Sequence, residues 1–474
     1  MSTDTSSGSI RTGRKFTRLL LGTVVVLALL ASTLALLNTT RGPGLQSAAI
    51  NLKSVIALPG QRLLLTADQP IASIDQDHIT VTPDVPVSVA VDGTAATVTF
   101  EETLKYNTEY RVRIDPVIGL FQGARSSIEY DFTTADVELF TLHRDLRTGS
   151  DGHKRPDEIR RDTLSANGEG GVVFNADRIQ EFAVLPSHLA VVTLDQDDTN
   201  HLTLFSLADD TELELTLPSN AVVKDLLTSG TTNLFGFTLA GAPIDGDDDP
   251  ADILYTYDAS GQSAVPQPVL GIDQQPLTVS DYLFVPNTTS LVAQGPDEVM
   301  YLIDVTAGGD IVPLGQHVEM RGLIPGTNSL VVADPTQGST IDLSNGRVTP
   351  LDLPVNDETG DAIPAKLELL DRDGQYVRLY QAWGTDGEVR PFLALTGRTG
   401  SSFVYEPASK NTEIRDFCVS PNRQYVAVET VSEEGESDQY PTLPASTGTM
   451  TTFVDLATGA SVRSINGFLP HWCN

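Results

Sequence analysis

The sequence predicts an all-β protein: one apolar helix, then a β-sandwich, then a β-propeller of about seven blades. Three observations lead there. Residues Leu19–Leu37, "LLLGTVVVLALLASTLALL", carry no charge and no proline. Beyond residue 50, short alternating apolar runs bounded by Gly, Pro, Asn and Asp replace amphipathic helical patterns, as strands and tight turns require. From Asp136 onward the chain repeats loosely every 40–55 residues, the spacing of propeller blades.

The helix comes first. Nineteen residues at the helical rise span about 28 Å, close to the hydrocarbon thickness of a bilayer. Residues 1–18 form a basic segment carrying Arg11, Arg14, Lys15 and Arg18 against Asp4 alone. By the positive-inside rule these stay cytoplasmic, and everything after Asn38 is outside. The competing reading is a cleaved export signal. The run exceeds the usual 7–15-residue signal core and no clean A-x-A pair follows it, so a retained transmembrane helix over 19–37 is expected. Residues 38–49, "NTTRGPGLQSAA", read as a polar linker of at most about 40 Å.

Residues 50–135 supply the sandwich. Val87–Val91 and Ala95–Phe100 flank Asp92-Gly93-Thr94, a hairpin connection with a glycine free to take positive φ. Alternation turns Val98 and Phe100 inward and Thr97 and Thr99 outward. In a later strand Tyr110, Val112 and Ile114 point inward, with Arg111 and Arg113 outward. The order Pro59-Gly60, Leu63-Leu64-Leu65, Pro70-Ile71, Leu104, Thr108-Glu109-Tyr110, Phe132-Thr133-Thr134 resembles the bacterial Ig-like domains of the S-layer (SbsA) type. That resemblance implies a spacer or adhesive module without catalytic residues.

Residues 136–474 supply the propeller. Six units begin near residues 178, 222, 277, 318, 366 and 412, the clearest being "IRDFCVSPNRQYVAVETV" followed by "TTFVDLATGASVRSI". Two pieces remain. Residues 137–176 hold three strands lacking an innermost one, and the tail "GFLPHWCN" looks like an innermost strand lacking the other three. Together they predict a seventh blade that pins both ends of the ring, with Trp472 packed between blades. Ser420-Pro421-Asn422-Arg423 with Val426-Ala427, and Asp455-Leu456-Ala457-Thr458-Gly459, resemble the turns of TolB-like and WD-repeat propellers. The resemblance implies a ring of four-stranded blades.

The only cysteines, Cys418 and Cys473, both fall in the part expected outside, where an even count reads first as a disulfide. Aligning the tail on the preceding inner strand sets Cys473 at the height of Cys418, so a bond there closes a 54-residue intervening loop across the seam. A metal or reactive-thiol site with His471 is the weaker reading, since one His and two Cys fall short of four zinc ligands.

Asp plus Glu outnumber Lys plus Arg by 63 to 30, a formal charge of −33. Such a surface repels nucleic acid and anionic lipid, both poor candidate partners, and no nucleic-acid partner is expected. It serves solubility, or attracts a cation or a basic partner. Asp245, Asp247 and Asp249 begin like a calcium loop, but Pro250 stands where the turn glycine belongs and Thr256 where the bidentate Glu belongs. A solvated loop fits better, and calcium remains the weaker alternative; no other cofactor is expected. The loop Leu194–His201 of the preceding blade is similarly acidic.

No G-x-S-x-G, sialidase Asp box, H-E-x-x-H or P-loop is present, and the seven His are scattered singly. No catalytic residue can be named. The expected role is therefore non-catalytic: a plasma-membrane-anchored, extracytoplasmic binding or scaffolding protein whose partner is a cell-surface or envelope protein or glycan. The alternatives are a glycan- or peptide-acting hydrolase or lyase working at the propeller channel, and a calcium-dependent adhesin.

Overall fold

A computed structural model describes residues 13–144, 154–165, 170–218, 221–230, 232–240, 252–261, 263–306, 309–355, 359–384 and 387–473. Among the described residues the chain is all-β apart from helix α1 (Gly13–Thr40), a one-turn helix and short 3-10 turns. Among the described residues no helix is long and apolar enough to cross a membrane; side chains of α1 are described only in part. The chain divides into two compact units, Met1–Ala135 and Asp136–Asn474.

In the first unit, antiparallel strands stand in the order Leu45–Ala49, Arg62–Ala67, Ala95–Phe100, Val87–Asp92. A second sheet orders Ile79–Thr82, Glu109–Ile118, Arg125–Thr133. Leu63, Leu65, Val98 and Phe100 from one sheet and Tyr110, Val112, Ile114 and Phe132 from the other are buried, as period-2 alternation dictates. Thr97 and Thr99 stay half-buried on the other face. Arg111 and Arg113 are solvent-facing and ion-paired, Arg111 with Asp131 at 2.8 Å and Arg113 with Asp115 at 2.7 Å. Gly93 takes φ +60 in the turn, where any other residue would be strained. The stretch read as a linker is structured: α1 runs to Thr40, and residues 45–49 join the first sheet as a strand.

The second unit is a seven-bladed propeller. Six four-stranded antiparallel sheets cover residues 179–215, 222–268, 281–316, 319–350, 363–405 and 412–466, in simple meander order. A closing blade contributes Glu138–His143, Asp157–Thr163 and Gly171–Ala176. Each sheet buries both faces against its neighbours, so its strands read as near-continuous apolar runs. In the strand His188–Leu194, Leu189 and Val191 pack toward the closing blade with Phe174 and Phe468. Ala190 and Val192 pack toward the second blade with Val223, Phe235 and Phe237. Gly236 makes room for Tyr282 of the third blade: a Cβ there would lie 3.0 Å from the ring.

Candidate functional site

The seam is where the last and first parts of the propeller meet. The tail takes the innermost place of the closing blade, but as a single bridge rather than a strand: Phe468 exchanges backbone hydrogen bonds of 2.9 and 3.0 Å with Leu142. Gly467 (φ +131) and Leu469 (φ +51) turn the chain out of the ladder on both sides, and Pro470 has no N–H to give. A 3-10 turn, His471–Cys473, follows in place of the expected strand. At Gly467 a Cβ would sit 2.9 Å from the Leu142 oxygen and the His143 ring, so only glycine fits.

The turn places its three side chains against different neighbours. Cys473 is disulfide-bonded to Cys418 of the sixth blade's inner strand, with the Cα atoms 5.4 Å apart. Trp472 meets Phe453 of the sixth blade edge-on at 5.3 Å. His471 is half-buried against Phe140 of the closing blade at 5.6 Å and accepts the Phe140 N–H at 3.4 Å. Burial pushes its imidazole pKa down to about 4. Glu429 reaches from the sixth blade to accept the Leu469 N–H at 2.6 Å.

A buried ionic knot lies alongside. Arg144 follows the closing blade's strand Glu138–His143, and its side chain is about 1% exposed. Its Nη1 donates to Asp438 at 2.7 Å and to the Leu443 carbonyl at 2.8 Å, while Nε donates to the Ile179 carbonyl at 2.9 Å. The guanidinium stacks 3.7 Å from the centre of the Tyr440 ring. Tyr440 donates its hydroxyl to the fully buried Asp157, which also accepts the Ile179 N–H at 3.0 Å. Burial and this carboxylate hold the phenol well above its ordinary pKa. The knot therefore ties the closing blade, the first blade and the loop 433–449 of the sixth blade together. A second tie crosses the seam farther out, where Arg463 pairs with Asp162 and donates to the Thr163 carbonyl.

Between the two ionic ties lies a cleft of about 1040 Å³. One wall carries His143, Glu158 and Arg160 of the closing blade; the other carries Thr447, Ile465 and Asn466 of the sixth. The lining mixes charge signs, with Arg160 and Glu158 paired at 2.8 Å. A concave, polar-lined opening of this size suits an oligomeric polar ligand or a protein loop.

Ionisable side chains also gather on the inner strands, the ones that line a propeller's axis. Glu181, Asp225, Asp281 and Glu319 come from four successive blades and act on one another electrostatically. Desolvation first, then Asp225, raises Glu181 to about 8, and partial desolvation raises Asp281, which still keeps a solvent-exposed surface, to about 6. Glu181 accepts the Leu226 N–H at 3.0 Å. Across the ring, Lys366 bonds Asp416 at 2.6 Å and the Phe417 carbonyl at 2.7 Å. Its neighbour Glu368 accepts the Val419 N–H at 2.9 Å and ties the fifth inner strand to the sixth.

Asp245, Asp247 and Asp249 lie outside the described residues. Asp252, at the edge of that segment, bonds Lys224 at 3.1 Å. In the loop Leu194–His201, Asp195 spends its carboxylate on the N–H groups of Asp197 and Thr199, both at 2.9 Å. Among the described residues no group of three or more His, Cys, Asp or Glu is arranged to hold a metal ion. Arg144, Asp157, Tyr440 and Glu181 escaped sequence reasoning, because their partners lie far along the chain and no local spacing marks them.

No family model and no curated protein matches the sequence. Among solved structures, a prolyl endopeptidase shares 14% identity at a TM-score of 0.43, covering 71% of this chain and 49% of that one. TolB from Acinetobacter baumannii shares 12% at a TM-score of 0.33, covering 81% and 78%. A putative TolB from Agrobacterium tumefaciens shares 10% at 0.31, covering 70% and 91%. The assignment of a propeller rests on the chain's own seven sheets.

Proposed function

We propose that this protein is a membrane-anchored, extracytoplasmic binding or scaffolding propeller, with the seam cleft as its recognition site. The observation that carries the reading is the preformed cleft of about 1040 Å³, held between two ionic ties. Both walls are fixed before a ligand arrives, which lowers the ordering cost of binding. The disulfide supports an oxidising compartment. The basic segment and the apolar run Leu19–Leu37 support α1 as a single-pass anchor with its N-terminus in the cytoplasm. In this reading the N-terminal two-sheet unit is an Ig-like spacer, and the partner is an envelope protein or glycan rather than nucleic acid.

The test is proximity labelling on intact cells, with a peroxidase inserted in the exposed turn Ala208–Asp210. Asn466→Trp, which fills the cleft from an exposed position, should remove specific members from the labelled set. An unchanged set overturns the cleft as the recognition site.

A second reading is favoured by the raised pKa values of Glu181 and Asp281: a propeller hydrolase using an axial carboxylic acid as proton donor. Turnover of a glycan or peptide substrate that Glu181→Gln abolishes would establish it.

A further inference from the structure

We propose that the hairpin tip Leu120–Phe121 of the N-terminal unit inserts into the interfacial layer of the membrane beside α1. The proposal rests on the reading that α1 crosses that membrane.

The strands Glu109–Ile118 and Arg125–Thr133 are joined by a tip closed by Gly119 N–H to Ala124 and Gly123 N–H to Gly119 hydrogen bonds of 2.9 and 3.0 Å. Phe121 at the tip is 81% exposed and Leu120 is 54% exposed. Two neighbouring apolar side chains so open to water are an unmet hydrophobic surface. The tip is nonetheless fixed in place: Leu120 donates its N–H to the Pro70 carbonyl at 2.9 Å, and Gly123 takes φ +64.

What lies beside this tip names its occupant. The chain leaving α1 at Thr40 is fastened to the base of the same hairpin within three residues. Gly42 and Pro43 are buried, and a Cβ on Gly42 would lie 2.6 Å from the Arg125 carbonyl. Ser126 donates its hydroxyl to the Pro43 carbonyl at 2.6 Å. A Cβ on Gly119 would lie 3.7 Å from the Pro43 ring. Gly44 donates to Asp68 at 2.8 Å, and the Arg41 carbonyl accepts from Gln69 at 2.9 Å. No slack separates the helix exit from the hairpin.

The apolar run stops at Leu37. Three helical residues and two extended ones carry the chain to Gly42, at most about 12 Å beyond the hydrocarbon edge. Leu120 and Phe121 follow Gly119, which packs on Pro43, and reach up to about 7 Å further in any direction. The interfacial layer is about 5–7 Å thick on each side. An aromatic side chain at that depth lies where such rings gain most. Arg125, exposed at the hairpin base, offers a cation to a zwitterionic lipid phosphate.

The experiment places Phe121→Trp in the full-length protein, reconstituted into phosphatidylcholine vesicles with or without bromine on the acyl chains. Wild-type emission from Trp383 and Trp472 is subtracted. The added indole is expected to emit at a blue-shifted maximum and to lose intensity in the brominated vesicles. Water-like emission insensitive to bromine, from protein that survives an alkaline carbonate wash, overturns the insertion while leaving the anchor standing. Release of the protein by that wash overturns the anchor, and the insertion with it.

Discussion

Arg144 lays its guanidinium 3.7 Å from the centre of the Tyr440 ring while donating to Asp438 at 2.7 Å. The two residues belong to opposite ends of the propeller sequence, so this stack exists only in the closed ring. Arg144→Ala would leave Asp438 buried without its counter-charge, a change that typically costs about 3–5 kcal/mol. Denaturant unfolding should show that loss in the second unit. Because Arg144 also satisfies three backbone carbonyls, those of Ile179, Gln180 and Leu443, Arg144→Lys should recover only part of it.

Cys418→Ser should remove the cross-link and cost about 4 kcal/mol on the loop-entropy account. The same loss should follow addition of reductant to the wild type. Electrophoresis with and without reductant, paired with melting curves, checks both; identical stability in the two states would show that the remaining ties carry the seam.

Glu181 gives a pH signature. Its folded-state pKa is raised to about 8, above the ordinary carboxylate value, so the folded protein holds a proton that the unfolded chain releases. Its stabilising contribution is complete below about pH 4.5 and is lost as pH rises toward about 8. Glu181→Gln should therefore flatten the decline in stability over that window and raise stability at the alkaline end. His471 slopes the other way: its folded pKa is lowered to about 4, so its contribution is lost as pH falls below about 6.5. Unfolding free energies for the wild type and the two variants His471→Gln and Glu181→Gln across this range separate the two groups.

Gly467→Ala should be more damaging than an ordinary surface substitution. Its Cβ would meet the Leu142 oxygen and the His143 ring at 2.9 Å, in a backbone conformation that side chains rarely adopt. The expected result is a lower melting temperature and faster proteolysis near the seam. Removal of Phe468–Asn474 should do still more, taking a buried aromatic and the disulfide together.

Much of the ring could be read from the sequence because blades repeat. A strand buried on both faces must be apolar along its length, and a tight reversal needs Pro, Asn or Gly, so turns such as Ser420-Pro421-Asn422 mark the blades. The pairing of Cys418 with Cys473 followed from aligning one inner strand on another. The tail was harder. Its apolar residues suit a strand, but the positive φ of Gly467 and Leu469 is set by the ring around them, and the outcome was one bridge and a 3-10 turn. The stretch 38–49 looked like a linker because it is polar and carries Gly42, Pro43 and Gly44. Those residues are there for close packing, Gly42 against Arg125 and Pro43 against Gly119. The axial carboxylates were illegible for another reason. In so acidic a chain nothing local distinguishes Glu181 or Asp281 from dozens of solvated neighbours.

The bridge between Leu142 and Phe468 also fixes an order of events during synthesis. The strand Glu138–His143 leaves the ribosome with one edge open and stays so until almost all of the propeller has been made. Through that interval an apolar strand edge is available to any other chain, the kind of edge that seeds misassembly. Oxidation of Cys473 comes at the end of the same interval, so bond formation reports that the ring has shut. Until Phe468 has been made, the nearly finished ring keeps that edge uncovered.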